Sequence, residues 1–190
     1  MVRRLFAFTI ATVFAVLGAS CSSSSPSTPT AGFEPLATAS SRTSMTLTST
    51  AFTDGGSIPV DYSCDGSNVS PPLAWTGAPA TTRAFVVLME DPDVARTFTH
   101  WVLYDLTSGS SLPAAVPASA SIATQGLNSA GKQGYTGPCP PRGSTHHYRF
   151  SVFALDAPTG LPAGASASDV KAAMQGHILA TATLTATFGH

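Results

Sequence analysis

The chain has 190 residues, of which only 9 are Lys or Arg and 10 are Asp or Glu, so 10% of the sequence is charged. A typical soluble domain carries about 25% charged residues, whereas the hydrophobic share of 43% is ordinary. This balance excludes a coiled coil, a highly charged disordered chain and a nucleic-acid-binding protein that depends on a basic patch, and the length predicts one folded domain.

The N-terminal segment has the pattern of an export signal. Arg3 and Arg4 precede an apolar run over residues 5–17, and the small residues that follow lead to Cys21. The run is shorter than the roughly 20 apolar residues that a membrane-spanning helix needs. We therefore expect residues 1–20 to be a cleaved signal peptide.

Cys21 resembles the lipobox cysteine of bacterial lipoproteins, which is acylated after cleavage. The match is incomplete, because Gly18 occupies a position that is usually Leu, and ordinary cleavage that leaves a free thiol is the alternative. Acylation, for example with palmitate, would anchor the protein to the outer face of the cell membrane, whereas ordinary cleavage would leave it secreted or periplasmic. Residues 21–45 are rich in Ser, Thr and Pro and predict a flexible tether before a folded domain at 46–190.

From residue 45 onward, apolar and polar residues alternate with the period of a β-strand more often than with that of a helix. Strands are predicted from their β-branched and aromatic content over 45–52, 84–91, 99–106, 147–155 and 182–188. The central strands are apolar on both faces, so we expect them inside a sheet that is covered on both sides. A single helix is predicted near the C-terminus, with Ser168 as its N-cap and Gly176 as its terminator. The fold class is therefore mainly β, sandwich-like, with a short C-terminal helix.

Polar side chains that could form a site occur where predicted strands begin or end. Asp91 ends one strand, and His100 and His146 begin two others, so these three groups can meet at one edge of a sheet. Trp101 and Tyr148 would supply aromatic walls beside them.

A Gly-Pro turn over residues 137–143 follows the same pattern, because it directly precedes a predicted strand. Backbone N–H groups of such turns can form an anion-binding nest. Three chemistries remain open for the whole cluster: a metal site with two His and one carboxylate, general acid–base catalysis, or a pocket for an anionic group. We expect neither a metal nor another cofactor, and no catalytic residue, because the sequence has no tight metal-ligand spacing and no Gly-x-Ser-x-Gly nucleophile motif.

The cysteine count bears on the same region. If Cys21 carries lipid, Cys64 and Cys139 remain as an even pair, and an exported protein meets oxidising conditions. A disulfide between them is predicted, with two unpaired thiols as the alternative.

Six separated motifs resemble those of one known family. DPD (91–93), HWVLYDL (100–106), GPCPPRG (137–143) and HHYRFSVFALD (146–156) are similar to the signatures of phosphatidylethanolamine-binding proteins. CDGSNVSPPLAW (64–75) and MQGHILATATL (174–184) match the bacterial branch described as Raf-kinase-inhibitor-like. The resemblance covers about residues 46–190.

This resemblance implies a β-sandwich with a small pocket for phosphate-like anions and phospholipid head groups. The ligand-binding residues that it implies are Asp91, His100, Gly137, Pro138, Pro140, His146 and Tyr148. Two departures from the family pattern are Val94-Ala95-Arg96, where Pro is usual, and the C-terminal sequence ATLTATFGH. The expected function is a membrane-anchored binding protein for a phosphate-bearing ligand. The alternatives are a regulator that inhibits a kinase or protease partner through surface loops and, less favoured, a hydrolase.

Overall fold

The computed structural model describes residues 44–190. Eight strands occur in chain order: β1 (Thr46–Thr48), β2 (Leu73–Thr76), β3 (Ala84–Asp91), β4 (Phe98–Leu106), β5 (Ser111–Leu112), β6 (Thr124–Gln125), β7 (Thr145–Leu155) and β8 (Ile178–Gly189). A 3₁₀ turn at Val60–Tyr62 and one helix, α1 (Ala167–Ala173), complete the regular elements of this range. The predicted signal peptide, Cys21 and almost all of the predicted tether lie outside the described residues. Within residues 44–190, no helix is long and apolar enough to cross a membrane.

The strands form two antiparallel sheets. The smaller has the order β1-β2-β5, and the larger has the order β6-β4-β3-β7-β8. β3 therefore lies at the centre of the larger sheet, and all eight of its side chains are buried. This confirms the prediction of a mainly β fold with a central strand that is covered on both faces.

Each face of the larger sheet packs against a different layer. On one face, residues such as Val87 and Phe150 pack against Leu47 and Trp75 of the smaller sheet. On the other face, Val86 and its neighbours pack against the helix and the loop before it. The alternation along β3 divides its apolar side chains between the two clusters, which is why its sequence is almost continuously apolar.

Four of the five predicted strands differ in length from those observed, β4 by only one residue and β7 by only two. The predicted strand over 45–52 stops after Thr48, because the Ser49 hydroxyl donates to the Pro72 carbonyl and accepts the backbone N–H of Ala51. A side-chain turn of this kind competes with strand pairing. β8, predicted over 182–188, instead begins at Ile178, because its first residues pair with the C-terminal half of β7.

The helix begins two residues earlier than predicted. Ser166, not Ser168, is the N-cap, because its hydroxyl accepts the backbone N–H of Asp169 while the Asp169 carboxylate accepts the backbone N–H of Ser166. This reciprocal pair is a capping box, in which Asp replaces the usual Glu. Gly176 follows the helix with a φ of 81°, a left-handed conformation that favours glycine, as expected of a terminator.

Candidate functional site

A bulge in the central strand pair positions the first histidine. Met89 of β3 pairs with Trp101 of β4, whereas Glu90 pairs with Thr99, so His100 is an extra residue without a partner on β3. Bulges re-aim side chains and are common beside functional sites. Here the imidazole of His100 packs edge-on against the ring of Tyr148 on β7, with ring centroids 5.3 Å apart.

The side chains around His100 enclose a cavity of about 180 Å³ at the end of the larger sheet. Most of its lining is apolar, and its polar groups are one carboxylate, two imidazoles and two hydroxyls. The residues that line it are Asp91, Val94, Phe98, His100, Thr136, Gly137, Cys139, Pro140, Pro141, His146 and Tyr148.

Asp91 and His146 form a hydrogen-bonded pair that lines this cavity. The Nδ1–H of His146 donates to Oδ2 of Asp91 over 2.7 Å, and both side chains are largely buried. The other oxygen of Asp91 accepts the backbone N–H of Asp93 over 2.8 Å. Pro92 fixes φ between the two acids, so this Asx turn orients the carboxylate before any ligand enters.

Asp93 extends the turn away from the cavity. Its carboxylate accepts the backbone N–H of His147 and contacts the ring of the same residue. The backbone hydrogen bond is the main reason that the pKa of Asp93 lies below its ordinary value. His147 is thus exposed and belongs to the outer side of the turn, while its neighbour His146 lines the cavity.

His100 is held by a reciprocal contact with the loop before β7. Its Nδ1–H donates to the carbonyl of Thr136 over 2.8 Å, and its own carbonyl accepts the Thr136 N–H over 3.0 Å. Burial lowers the pKa of His100, and the nearby carbonyl of Thr136 and charge of Asp91 offset this only in part. Burial also raises the pKa of Tyr148, so its hydroxyl keeps its proton.

The Gly-Pro turn supports the cavity wall, but it does not form an anion nest. The N–H of Gly137 donates to the side chain of Asn68 over 2.7 Å, and the prolines on either side of Cys139 have no N–H. The prediction of a nest is therefore wrong. Gly137 is required for another reason: a Cβ there would lie 2.5 Å from the Tyr62 carbonyl oxygen.

A disulfide ties this turn to the loop that precedes β2. Cys64 and Cys139 are bonded, as predicted, and the Cys64 N–H also donates to the Pro138 carbonyl over 3.0 Å. The C-terminal His190 lies on the same loops, with Nδ1 on the Asp65 carboxylate and Nε2 on the Pro140 carbonyl. The ligand-type atoms of Cys64, Asp65 and His190 lie close together, but the bonded sulfur is not a metal-binding thiolate.

Six of the seven ligand-binding residues implied by the resemblance line the cavity. Pro138 does not, because its carbonyl faces Cys64. Trp101 is not an aromatic wall either: its ring is buried in the core, and its Nε1–H donates to Gln125 over 2.8 Å. Of the residues that differ from the family pattern, Val94 lines the cavity, whereas Arg96 lies outside it.

Four further lining residues are outside the seven that the resemblance implied: Phe98, Thr136, Cys139 and Pro141, of which Cys139 and Pro141 lie in the predicted turn over 137–143. Phe98 could have been found from the strand period, since it lies two residues before His100, and its ring packs against the imidazole in a tilted arrangement with centroids 4.7 Å apart. The other three belong to an irregular loop, where no period indicates which side chains face inward.

The polar groups of the cavity are carboxylate, imidazole and hydroxyl groups. Neither a free thiol nor a serine hydroxyl lines the cavity within the described range, because Cys139 is in the disulfide. The atoms of Asp91, His100 and His146 do not converge within 4.8 Å of one another as a metal site would require. What the cavity offers is two oriented imidazoles and two hydroxyls behind an apolar rim.

Two antiparallel sheets with a small His- and carboxylate-lined cavity at one end of the larger sheet define a β-sandwich protein with a small-ligand pocket. A family model described as phosphatidylethanolamine-binding protein matches residues 48–189. The UPF0098 protein of Methanothermobacter thermautotrophicus is 43% identical over 145 residues, which cover 74% of this chain and 95% of that protein. The chain therefore belongs to the phosphatidylethanolamine-binding protein family.

A solved structure and a second relative extend the comparison. The crystal structure of CT736 from Chlamydia trachomatis, described as a candidate homologue of phosphatidylethanolamine-binding proteins, has a TM-score of 0.72 at 39% identity and covers 78% of this chain and 99% of its own. LppC of Mycobacterium tuberculosis, described as a candidate lipoprotein, is 42% identical over 126 residues, covering 64% of this chain and 61% of LppC.

Proposed function

We propose that the protein binds a phosphate-bearing ligand, such as a phospholipid head group or a phosphorylated partner, in the cavity at the end of the larger sheet. The observation that carries this proposal is the convergence of the Asp91–His146 pair and His100 on one buried space of about 180 Å³. Hydroxyls and protonated imidazoles can donate hydrogen bonds to the oxygens of a phosphoryl group, and the volume suits a head group rather than a whole lipid.

The electrostatics of the cavity suggest selectivity rather than very tight binding. Among residues 44–190, neither Lys nor Arg lines the cavity, so hydrogen bonds must provide most of the recognition. Val94, Phe98 and the prolines at 140 and 141 form an apolar rim, which strengthens those hydrogen bonds by excluding water.

Calorimetry with phosphate and phosphoethanolamine tests this proposal. The wild type is expected to bind both ligands, and an Asp91→Ala, His146→Ala double variant is expected to lose most of that affinity. An Asp156→Ala, His177→Ala variant is a matched control, since it removes an exposed His–Asp contact of 2.8 Å that does not line the cavity. Equal titrations for the wild type and the pocket variant would overturn the proposal.

We propose further that the protein is exported and held at the membrane by acylated Cys21. The signal pattern before Cys21 supports this, as does the similarity to LppC. The disulfide between Cys64 and Cys139 suits an oxidising compartment.

Fractionation of cells that express the wild type and a Cys21→Ser variant tests the anchor. The wild type is expected in the membrane fraction with an acylated N-terminal peptide detectable by mass spectrometry, and the variant in the soluble fraction. If both proteins distribute alike and no acyl group is found, the anchor is refuted.

A further inference from the structure

The two imidazoles of the cavity are held in a defined tautomer. Nδ1 of His100 lies 2.8 Å from the Thr136 carbonyl, and Nδ1 of His146 lies 2.7 Å from the Asp91 carboxylate. Both partners are oxygen atoms that can only accept, so each Nδ1 must carry a proton. Among residues 44–190, no hydrogen bond to Nε2 is found for either ring, although the Gly137 backbone also lies near the His100 ring, and Nε2 is the atom left for a ligand.

This tautomer creates a conflict with an anionic ligand. In a neutral imidazole whose Nδ1 is protonated, Nε2 is a hydrogen-bond acceptor. A phosphoryl oxygen without a proton is also an acceptor, so the two cannot bond. One additional proton, on Nε2 or on the phosphoryl oxygen, turns the contact into a hydrogen bond.

We infer that the pocket takes up its phosphate ligand together with one proton and therefore prefers phosphate monoesters to phosphate diesters. This inference rests on the proposed function. A monoester titrates near pH 6 and can carry the proton itself, as a phosphoryl O–H that donates to a neutral Nε2. A diester has no such group, so its complex must protonate an imidazole.

The titratable groups around the imidazoles define the charges that act on this proton. Asp91 faces both rings from β3, Tyr148 faces them from β7, and Asp93 lies beside His146. The loop over 136–141 adds none, because its cysteine is in the disulfide. Burial keeps His100 neutral near pH 7 by lowering its pKa, so the proton is absent before the ligand arrives.

The hydroxyls of the cavity do not remove the conflict. Tyr148 can donate one hydrogen bond without a change of charge, and Thr136 has a second hydroxyl. These donors permit some binding of either ligand class. The pH-dependent part of the affinity belongs to Nε2 of His100.

Calorimetry of the full chain with methyl phosphate and dimethyl phosphate tests the inference. In buffers of different ionisation enthalpy at pH 7.5, methyl phosphate is expected to bind with uptake of about one proton. Its affinity is then expected to fall about tenfold for each pH unit between 7 and 9. Dimethyl phosphate is expected to bind at least about tenfold more weakly than methyl phosphate at pH 7.5.

A His100→Gln, His146→Gln double variant provides an independent test, since a Gln amide can donate without titrating. This variant is expected to bind methyl phosphate with a nearly flat pH profile, while a His177→Gln control keeps the wild-type slope. If the double variant does not fold, the number of protons that the wild type takes up on binding methyl phosphate still tests the inference.

The outcomes separate the inference from the proposed function. Binding of methyl phosphate by the wild type without proton uptake, or with constant affinity from pH 7 to 9, overturns the inference and leaves the phosphate site intact. A retained slope in the double variant overturns it as well. Absence of binding by both probes at every pH overturns the proposed function itself.

Discussion

Removal of the disulfide is expected to lower stability strongly without changing the native contacts of the loops. Cys64 and Cys139 are 75 residues apart in sequence. For a loop of that length, the chain-entropy relation gives a stabilisation of about 4.5 kcal/mol at 25 °C, because the cross-link restricts the unfolded chain. The Cys64 N–H donates to the Pro138 carbonyl through backbone atoms, so we expect this hydrogen bond to hold the two loops together when both sulfurs are replaced.

A Cys64→Ser, Cys139→Ser variant tests this expectation by thermal unfolding followed with circular dichroism. For a domain of this size, about 4.5 kcal/mol corresponds to a decrease in Tm of roughly 9–18 °C. Dithiothreitol should lower the Tm of the wild type by a similar amount and leave the variant unchanged. A decrease of less than about 3 °C would show that the unfolded chain is already restricted, and the entropy argument would then fail.

Three further predictions concern titratable groups. The pKa of His100 is lowered by burial, so the unfolded state binds more protons and the stability of the protein should fall as the pH decreases below about 6.5. In urea unfolding at pH 7.5 and pH 5, the wild type should lose more free energy of unfolding at the lower pH than His100→Gln does. The pKa of His190 is raised, chiefly by its hydrogen bond to the Asp65 carboxylate. The stabilisation from this contact should therefore be present below about pH 6.5 and disappear as the pH rises through the raised pKa. The Tm difference between the wild type and His190→Ala should shrink from pH 6 to pH 9. The buried carboxylate of Glu90 contacts Arg149 and Lys171, which are about half exposed, so Glu90→Gln should cost about 1–2 kcal/mol in urea unfolding, and a cost near zero would show that the contacts are screened.

Much of the large sheet could be predicted because its physical cause is local. The apolar run over 84–91 has the length and β-branched content of a buried strand, and β3 has these bounds in the structure. The strand ends also indicated that Asp91, His100 and His146 could meet, since antiparallel neighbours bring one strand's end beside the next strand's beginning.

The wrong predictions of the N-cap and of the anion nest both depend on hydrogen bonds that residue type does not reveal. In one case the bond lies among nearby polar side chains, and in the other it joins residues distant in sequence. Ser166 and Ser168 are both acceptable N-caps by residue type, and the choice depends on which hydroxyl meets the N–H of Asp169. The supposed nest failed because the N–H of Gly137 is used by Asn68, which is 69 residues earlier in the chain. No local pattern contains that pairing.

Reading the sequence alone was enough to predict the mainly β class, the central strands, the family resemblance and most of the residues around the candidate site. These features follow from periodicity, from side-chain type and from motifs whose order is visible along the chain. The arrangement of the site became visible only in the folded chain. A bulge directs His100 into the cavity, and the Asp91 carboxylate and the Thr136 carbonyl fix which nitrogen of each imidazole faces a ligand. The physical reason is that a tautomer depends on the partner of a ring nitrogen, and that partner is brought near by folding.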